Sequence, residues 1–293
     1  MEQNIFFSAL STSLLTSIGQ GFIVYAFVKI LLWSAPAMSA ENRFKFLYSA
    51  MLLILAGFIT SLVRSYSTEA ASAEILATNI SDISPYPGHQ TIEVTFYQST
   101  NYAKWIAGLY FTGIFIQGSI ILAGLYHLQV FRKKSKLWSD KIWEERLQVL
   151  CKKLNINKSV KLHLAERVFS PFTAGFIKPM IIFPIAMLNR LSPEQVEAIL
   201  LHELGHIKRN DYILNILHKI IETILFFNPF MWLLSRAIRR EREFACDDLV
   251  MEYTKDTNQY ARALLHIAES NLKNYSFGIA ASGEINSTSL HAL

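Results

Sequence analysis

Three long stretches of this sequence carry almost no charge, and they constrain the fold more than any other feature. They lie at 6–32, 46–63 and 105–130. A helix needs about 20 consecutive apolar residues to cross a bilayer, and each stretch approaches or exceeds that length. With 52% hydrophobic and only 17% charged residues in the chain, the composition excludes a disordered protein. We therefore predict a mainly α-helical membrane protein with three transmembrane helices.

The first stretch has an alternative interpretation as a secretory signal peptide. Such peptides begin with a basic segment and end at a small-residue cleavage site that follows a short apolar core. This chain begins Met-Glu-Gln-Asn, which is acidic, and no cleavage site of that kind follows. The pattern favours a retained transmembrane helix.

The basic residues predict how the helices are oriented, because Lys and Arg accumulate on the cytoplasmic side. Arg43 and Lys45 lie in the first connection, 64–104 has only two basic residues against four acidic ones, and a basic cluster occupies 132–136. This places the N-terminus and 64–104 outside a bacterial-type inner (cytoplasmic) membrane and everything from 132 inside. The net charge of +5 is then a topology signal that also contacts anionic lipid. We expect no direct nucleic-acid binding.

The outer segment contains a pattern typical of a strand. Residues 91–97 alternate between apolar and polar side chains, and the turn-rich sequence Ser-Pro-Tyr-Pro-Gly precedes them at 84–88. Alternation of this kind next to a turn indicates a β-hairpin. A packed loop over the helices is the equally favoured alternative.

The remainder of the chain, 132–293, is expected to be a cytoplasmic domain attached to a transmembrane region that spans 1–131. Apolar residues at helical spacing predict a helix over 141–154. Short alternating or apolar runs predict strands at 160–164, 169–176 and 180–183, the last two joined by a turn at Lys178-Pro179. The region therefore has the pattern of a single α+β domain.

One predicted helix carries two histidines at metal-ligand spacing. It begins at Ser192-Pro-Glu-Gln, where a capping serine precedes proline and glutamine follows at the third position. His202 and His206 are four residues apart and so share one helical face. Glu203 lies beside them, where it can accept a proton from a metal-activated water. Two unrelated surface histidines would be the alternative explanation.

A catalytic zinc ion needs a third protein ligand, and spacing alone leaves it open. A second helix predicted over 236–250 carries Glu243 and Asp247 on one face, so that one can bind metal while the other orients a histidine. Glu222 is the main alternative, although an ion pair with Lys219 or Arg236 would also explain it. The wider set of candidates is His218, Glu222, Glu241, Glu243, Asp247 and Asp248. Cys246 is expected to be a small buried core residue.

Residues 212–238 are apolar enough to enter a bilayer, but they cannot cross it. The predicted ligands flank the segment and must stay on one side, and Asn228-Pro229 interrupts it. We predict a helical hairpin that dips into the inner leaflet of the membrane.

The sequence resembles a known family at this point. His-Glu-Leu-Gly-His at 202–206, followed by Glu-Phe-Ala-Cys-Asp at 243–247, is similar to membrane metallopeptidases of the BlaR/MecR antirepressor and HtpX/Ste24 families. The BlaR/MecR family looks closer, because its members resemble this chain in 170–179, in Lys-Arg-Asn-Asp at 208–211 and in Phe-Asn-Pro at 227–229. The resemblance covers about 105–270 and is most specific over 169–250.

The resemblance implies a zincin-like protease of the gluzincin type with a role for each site residue. His202, His206 and Glu243 would bind Zn2+, Glu203 would be the general base, and the supporting residues would be Asp247 and Asp211. Zinc brings the pKa of bound water towards about 7, and Glu203 would take its proton and pass it to the leaving amine. A strand at the sheet edge could align substrate; its residues are Ser170, Pro171, Phe172, Thr173, Ala174, Gly175 and Phe176. A buried strand is the equally favoured alternative.

Two functions follow from the two families. The leading expectation is a signalling endopeptidase that cleaves a cytoplasmic protein, by resemblance a DNA-binding transcriptional repressor. The alternative is a housekeeping protease of membrane-protein quality control; a scaffold with a structural metal would not need Glu203. The expected partners are the lipid bilayer and a protein substrate, with a homodimer left open. BlaR/MecR members commonly continue into a fourth helix and an outside sensor domain, which do not follow here. Either the sequence is a piece of a longer protein, or the signal enters through the helices or 64–104.

Overall fold

The computed structural model describes the backbone of residues 2–81, 90–166, 168–254 and 257–281 and the side chains of 3–73, 102–166, 168–254 and 257–269. Within these ranges the protein contains nine helices and one four-stranded sheet. The predicted turn at 84–88 lies outside the described residues.

Three long helices contain the three predicted spans. They are α1 (Glu2–Ser34), α2 (Ala40–Ser81) and α3 (Gln90–Lys134). Their apolar parts, long enough to cross a membrane, cover Gln3–Ser34, Ala40–Ala73 and Tyr102–Lys134. Each exceeds its predicted range because a helix, once formed, adds one hydrogen bond per residue and continues into polar flanks. The prediction of three membrane-crossing helices is confirmed in length and composition.

The strand predicted at 91–97 is wrong, because these residues lie in the first turns of α3. No glycine or proline interrupts the chain between Gln90 and Gly108. A helix that is stable over its apolar part therefore extends backwards through 91–97 at little cost, in spite of the alternating pattern. The continuation of α3 has therefore overridden the weak strand preference of 91–97.

The predicted α+β elements after α3 are present. They are α4 (Lys141–Lys153), β2 (Lys161–Ala165), β3 (Phe172–Ala174) and β4 (Met180–Pro184). Two short elements that were not predicted accompany them, β1 (Lys136–Leu137) and α5 (Ile185–Leu188). The order across the sheet is β1-β2-β4-β3, with β2 and β4 parallel and β3 antiparallel to β4. The strand predicted over 169–176 is shorter than expected, and it lies at an edge of the sheet.

The last four helices carry the predicted metal-site residues and the segment predicted to form a helical hairpin. They are α6 (Pro193–Lys208), α7 (Asp211–Ile224), α8 (Pro229–Tyr253) and α9 (Thr257–Ala281). Helix α8 is much longer than the predicted 236–250. It begins at Pro229, whose fixed φ and missing N–H suit the first position of a helix.

The chain forms two compact units, whose boundary crosses α3, α7 and α8. The first unit consists of Met1–Ala123 and Leu217–Ala245, and the second of Gly124–Ile216 and Cys246–Leu293. The predicted boundary between residues 131 and 132 stays a prediction.

Within the first unit, the connection between α7 and α8 packs against the middle of the long helices. The Asn228 side chain donates a 2.8 Å hydrogen bond from Nδ2 to the carbonyl oxygen of Ser17 in α1. The Tyr110 hydroxyl of α3 donates to the carbonyl oxygen of Ile224 at 3.1 Å. A Cβ atom on Gly113 would overlap the ring of Phe226. Because Gly113 has no side chain, the connection between α7 and α8 can approach α3 closely at this residue.

The second unit has a core made by α4, the sheet, α6, α9 and the end of α8. Buried side chains such as Leu147, Ile181, Leu200 and Val250 form one cluster. A second cluster under β3 includes Ala174 and Met180. The first cluster contains buried residues from Val196 to Ile207 and so fixes α6 along its length. This helix carries the histidine pair.

Candidate metal centre

Helix α6 holds His202 and His206 on a rigid support. Its capping box is present, because the Ser192 hydroxyl accepts from the Gln195 backbone and the Gln195 side chain accepts from the Ser192 backbone. Ten residues of the helix are buried, which locks its rotation in the core. The two imidazole rings lie on the same side, with centroids 5.0 Å apart. The i, i+4 prediction for this pair therefore agrees with its geometry.

His202 is oriented by two residues from the end of α8 and from α9. Its Nδ1 atom lies 2.8 Å from the Tyr260 hydroxyl oxygen and 3.1 Å from Oδ1 of Asp247. Tyr260 donates its own proton to Asp247 Oδ1 at 2.6 Å. Since the hydroxyl proton is used there, the tyrosine oxygen accepts from His202, which makes Nδ1 of the ring the protonated nitrogen.

Burial, followed by the hydrogen bond to Asp247, raises the pKa of Tyr260 above its ordinary value. The phenol therefore remains a proton donor at any physiological pH. This supports the direction of the bonds in the His202–Asp247–Tyr260 set.

His206 is oriented by a carboxylate at the start of the next helix. Its Nδ1 atom lies 2.7 Å from Oδ2 of buried Asp211, and Arg209 Nε lies 3.6 Å from the other oxygen of that carboxylate. Cys246 Sγ lies 3.3 Å from the same Nδ1. The cysteine is fully buried, as expected, and it lies next to Gly205.

The donor set fits a metal ion. Nδ1 of both histidines acts as a hydrogen-bond donor to a carboxylate or to a carboxylate-bound phenol, so Nε2 carries the lone pair that a metal ligand needs. Supporting carboxylates of this kind fix the tautomer and the ring orientation in histidine–metal sites. A second possible set of metal ligands consists of His206, Asp211 and Cys246, which bring one ligand atom each within 4.8 Å of one another. Because Nδ1 of His206 is engaged with Asp211, Asp211 and Cys246 are better explained as support for the histidine than as metal ligands.

Glu203 lies between the two histidines in sequence and is nearly buried, with 7% of its surface exposed. The Thr173 hydroxyl lies 2.7 Å from its Oε2 and 3.2 Å from its main-chain oxygen. Glu203 is thus held between its own helix and strand β3. A carboxylate in this position is suited to take up and return a proton.

The structure separates the candidates for a third ligand. Glu222 forms ion pairs with Lys219 at 3.1 Å and with Arg239 at 3.2 Å, so the expectation of Lys219 as a partner is met and the second partner is Arg239 rather than Arg236. His218 is buried and its Nε2 lies 2.9 Å from the Ser235 hydroxyl. Both are accounted for by their neighbours in the first unit.

The other candidates lie on α8. Asp247 supports His202, as described, and buried Glu241 pairs with Arg240 at 3.2 Å. Glu243 pairs with Arg242 at 3.0 Å. It precedes Cys246 and Asp247 by three and four residues on one continuous helix, so all three occupy the same helical face.

The segment predicted to align substrate, 170–176, forms strand β3 and the residues on either side of it. Ser170 and Pro171 precede the strand, Phe172, Thr173 and Ala174 form β3, and Gly175 adopts a φ of +88° where the chain turns. The Phe176 ring lies under Lys158 Nζ at 4.3 Å. Glycine is required at 175, because a Cβ atom there would also lie 2.9 Å from the Lys178 carbonyl oxygen.

Tyr260 is the site residue that sequence reasoning missed. It lies 13 residues after Asp247, on a different helix, and no motif includes it. The available signal was weak: Tyr260 is the first aromatic residue of α9, and Ala263 and Ile267 follow it on the apolar face of the helix.

The sequence belongs to a described family. It matches the family described as BlaR1 peptidase M56 over residues 20–287. It is 27% identical over 199 residues to the "Regulatory protein BlaR1" of Bacillus licheniformis, an alignment that covers 66% of this chain and 31% of that protein. It is 24% identical over 220 residues to the "Methicillin resistance mecR1 protein" of Staphylococcus aureus, covering 69% and 37% of the two chains.

A third relative comes from the alternative family. The "Protease HtpX homolog" of Moorella thermoacetica is 26% identical over 212 residues, covering 57% of this chain and 70% of that one. The chain spans about a third of the length of the BlaR1 and mecR1 proteins that it matches. Since the family match extends from α1 to α9 and includes both histidines of α6, this chain is a member of the BlaR1 peptidase M56 family.

Proposed function

We propose that this chain is a membrane-embedded, zinc-dependent endopeptidase that cleaves a cytoplasmic regulatory protein. The observation that carries the proposal is the pair His202 and His206, each with Nδ1 held by a carboxylate-based partner, and the buried Glu203 beside them. A structural metal site would have no use for a carboxylate held in this position. The second unit is then a zincin-like α+β protease domain.

Glu243 is the proposed third zinc ligand. Glu243 lies on the face of α8 that also carries Cys246 and Asp247, one turn further along the helix. Asp247 contacts His202, and Cys246 contacts His206. A rigid helix therefore carries Glu243 next to the residues that support the histidines. Glu222 is less suitable, because its carboxylate is engaged by two cations.

Each residue has a defined part in the proposed reaction. Bound zinc would supply a Lewis acid that polarises the peptide carbonyl and acidifies the attacking water. Glu203 takes the proton of that water and returns it to the leaving amine. Asp247, Tyr260 and Asp211 engage Nδ1 of the imidazoles, so that Nε2 is the atom that would bind zinc.

Substitution of Glu203 tests the peptidase function. We expect the full chain, purified in detergent with zinc, to cleave quenched fluorescent peptides, and E203Q to lose at least about a hundredfold of this activity because the general base is removed. The amide is similar in size, so zinc content measured by mass spectrometry should be retained. Cleavage by E203Q at the wild-type rate, with zinc bound, would disprove the proposal.

The regulatory role rests on the relatives named regulatory protein BlaR1 and methicillin resistance mecR1 protein. We propose a transcriptional repressor as the substrate. Comparison of protein N-termini between cells that express wild type and E203Q should reveal one or a few cytoplasmic DNA-binding proteins that are cut only with wild type. Cleavage restricted to misfolded membrane proteins would instead favour quality control, the alternative to which the HtpX homologue points.

The proposed location is the bacterial inner membrane, with the N-terminus outside and the second unit in the cytoplasm. The basic residues at 132–136 support this orientation. Reporter fusions placed after residue 34 and after residue 134 should both report the cytoplasm, whereas a fusion in 82–89 should report the outside. The opposite pattern would invert the topology and remove a cytoplasmic repressor from reach.

A further inference from the structure

We propose that Thr173 is a positioning residue that fixes the Glu203 carboxylate and links it to the free edge of the sheet. The inference rests on the proposed peptidase function, and it adds a component from outside the two helices that carry the proposed metal ligands. It concerns one hydroxyl group on a three-residue strand.

The first step is the hydrogen bond itself. The Thr173 hydroxyl has a single proton, and Oε2 of Glu203 at 2.7 Å is a closer acceptor than the Glu203 main-chain oxygen at 3.2 Å. A bond to a charged group at this distance is among the stronger hydrogen bonds in proteins. It occupies Oε2, which leaves Oε1 to take part in proton transfer. The carboxylate is thereby held in one rotamer.

The second step concerns where the hydroxyl is anchored. In the register of β3 with β4, Thr173 pairs with Ile181, while Phe172 and Ala174 flank it. Side chains alternate across a strand, so Thr173 faces the opposite side from Ala174, which is buried in the cluster with Met180 and Ile182. One face of β3 is therefore fixed in the core and the other contacts α6. The threonine has little freedom to move away from Glu203.

The third step concerns the sheet edge. Strand β3 ends the order β1-β2-β4-β3, so one side of it has no neighbour among the described strands. An extended peptide that pairs with this edge would lie next to a strand that contacts the general base directly. Any shift of β3 on pairing would be transmitted to Glu203 through Thr173. Strand β3 would then both bind the substrate and align Glu203, the proposed general base.

Two substitutions separate positioning from mere support of the fold. Thr173→Val keeps the shape of the side chain and removes the hydroxyl, whereas Thr173→Ser keeps the hydroxyl. Thr254→Val is the matched control, because it makes the same chemical change where the Oγ1 atom is buried without a hydrogen-bond partner in the described part of the chain. All three are assayed as the full chain in detergent, with zinc and with the fluorescent peptide that wild type cleaves fastest.

We expect T173V to lower kcat by about 10- to 100-fold, the value of a hydrogen bond to a charged group, while KM changes less than about threefold. T173S should restore kcat to within about threefold of wild type, and T254V should match wild type. Zinc content should be unchanged in all three. If T173V retains wild-type kcat, or if T173S is as impaired as T173V, the inference is wrong. An inactive wild type would instead reject the proposed function itself.

Discussion

The Tyr260 hydroxyl donates a 2.6 Å hydrogen bond to the Asp247 carboxylate, across two helices that are consecutive in the chain. The same oxygen lies 2.8 Å from Nδ1 of His202. The proposed zinc ligand is thus oriented by a relay in which the phenol, and not only the carboxylate, is in contact with the ring. Removal of the phenol oxygen leaves Asp247 alone to hold the histidine.

Tyr260→Phe should therefore weaken zinc binding without removing a ligand. Supporting partners of metal-bound histidines typically contribute about 10- to 100-fold in metal affinity or activity. We expect a loss of about tenfold in zinc affinity, measured by competition with a chromophoric chelator. Tyr253→Phe is the control, since the Tyr253 ring contacts Lys153 and its described hydrogen bond uses the main-chain oxygen. Equal zinc affinity in Y260F and wild type would contradict this role.

The choice between Glu243 and Glu222 as the third ligand is decided by paired substitutions. Glu243→Gln should reduce zinc content strongly and abolish peptide cleavage, since an amide is a poor replacement for an anionic oxygen ligand. Glu222→Gln should retain zinc, because its carboxylate serves Lys219 and Arg239. Metal content after dialysis provides the measurement. Loss of zinc in E222Q with retention in E243Q would reverse the assignment.

The approach of the hairpin to α3 depends on the missing side chain of Gly113. Phe226, which a Cβ atom would overlap, stacks on Tyr110 and makes an edge contact with Phe227, so its ring cannot easily move. Overpacking of this kind costs about 1–3 kcal/mol. Gly113→Ala should lower the thermal unfolding midpoint by roughly 2–10 °C. Gly108→Ala on the same helix, where nothing lies within 4 Å, should leave the midpoint unchanged or raise it.

Acid should destabilise the protein through His218. Burial lowers the pKa of His218 to about 4. The negative charge of Glu222 opposes this shift of the pKa, whereas the positive charges of Arg239, Lys219 and Arg242 add to it. An exposed imidazole titrates near 6.5. Between these two values the unfolded chain binds a proton that the folded chain excludes, so stability is full above pH 6.5 and decreases as the pH falls towards 4.

Between pH 7 and 5 this linkage corresponds to roughly 2 kcal/mol. Unfolding midpoints of wild type and His218→Gln, recorded across that range, check it. The variant should show a smaller decrease with acid, whereas other histidines contribute equally to both proteins. Parallel pH curves for the two proteins would show that His218 makes no contribution.

The sequence predicted those parts of the molecule that depend on local pattern. The capped helix that carries His202 and His206 and the three charge-poor apolar stretches follow from spacing and composition. Asp211 lies only five residues after His206 in sequence, and its supporting role was expected from the family resemblance. Short-range signals of this kind survive folding because packing reinforces them.

The parts that it did not predict depend on contacts between distant segments. Tyr260 reaches His202 across 58 residues, and Thr173 reaches Glu203 across 30. Neither contact leaves a periodic trace, since a single hydrogen bond needs no repeated pattern. The helix over 91–97 was missed for a related reason, because its stability comes from the apolar residues that follow it.

The hydrogen bond between Asn228 and the Ser17 carbonyl oxygen implies an order of assembly for the first unit. Ser17 leaves the ribosome 211 residues before its partner, which at about 5–20 residues per second means that it waits roughly 10–40 s. During that time α1 and α2 can enter the bilayer, but the surface that receives the hairpin stays uncovered. An unpaired amide is costly in an apolar environment, so the Asn228 side chain is satisfied only once Ser17 of α1 is in place. Completion of the first unit is therefore a late event of membrane assembly, and incorrect placement of α1 at the start would leave that unit incomplete at the end.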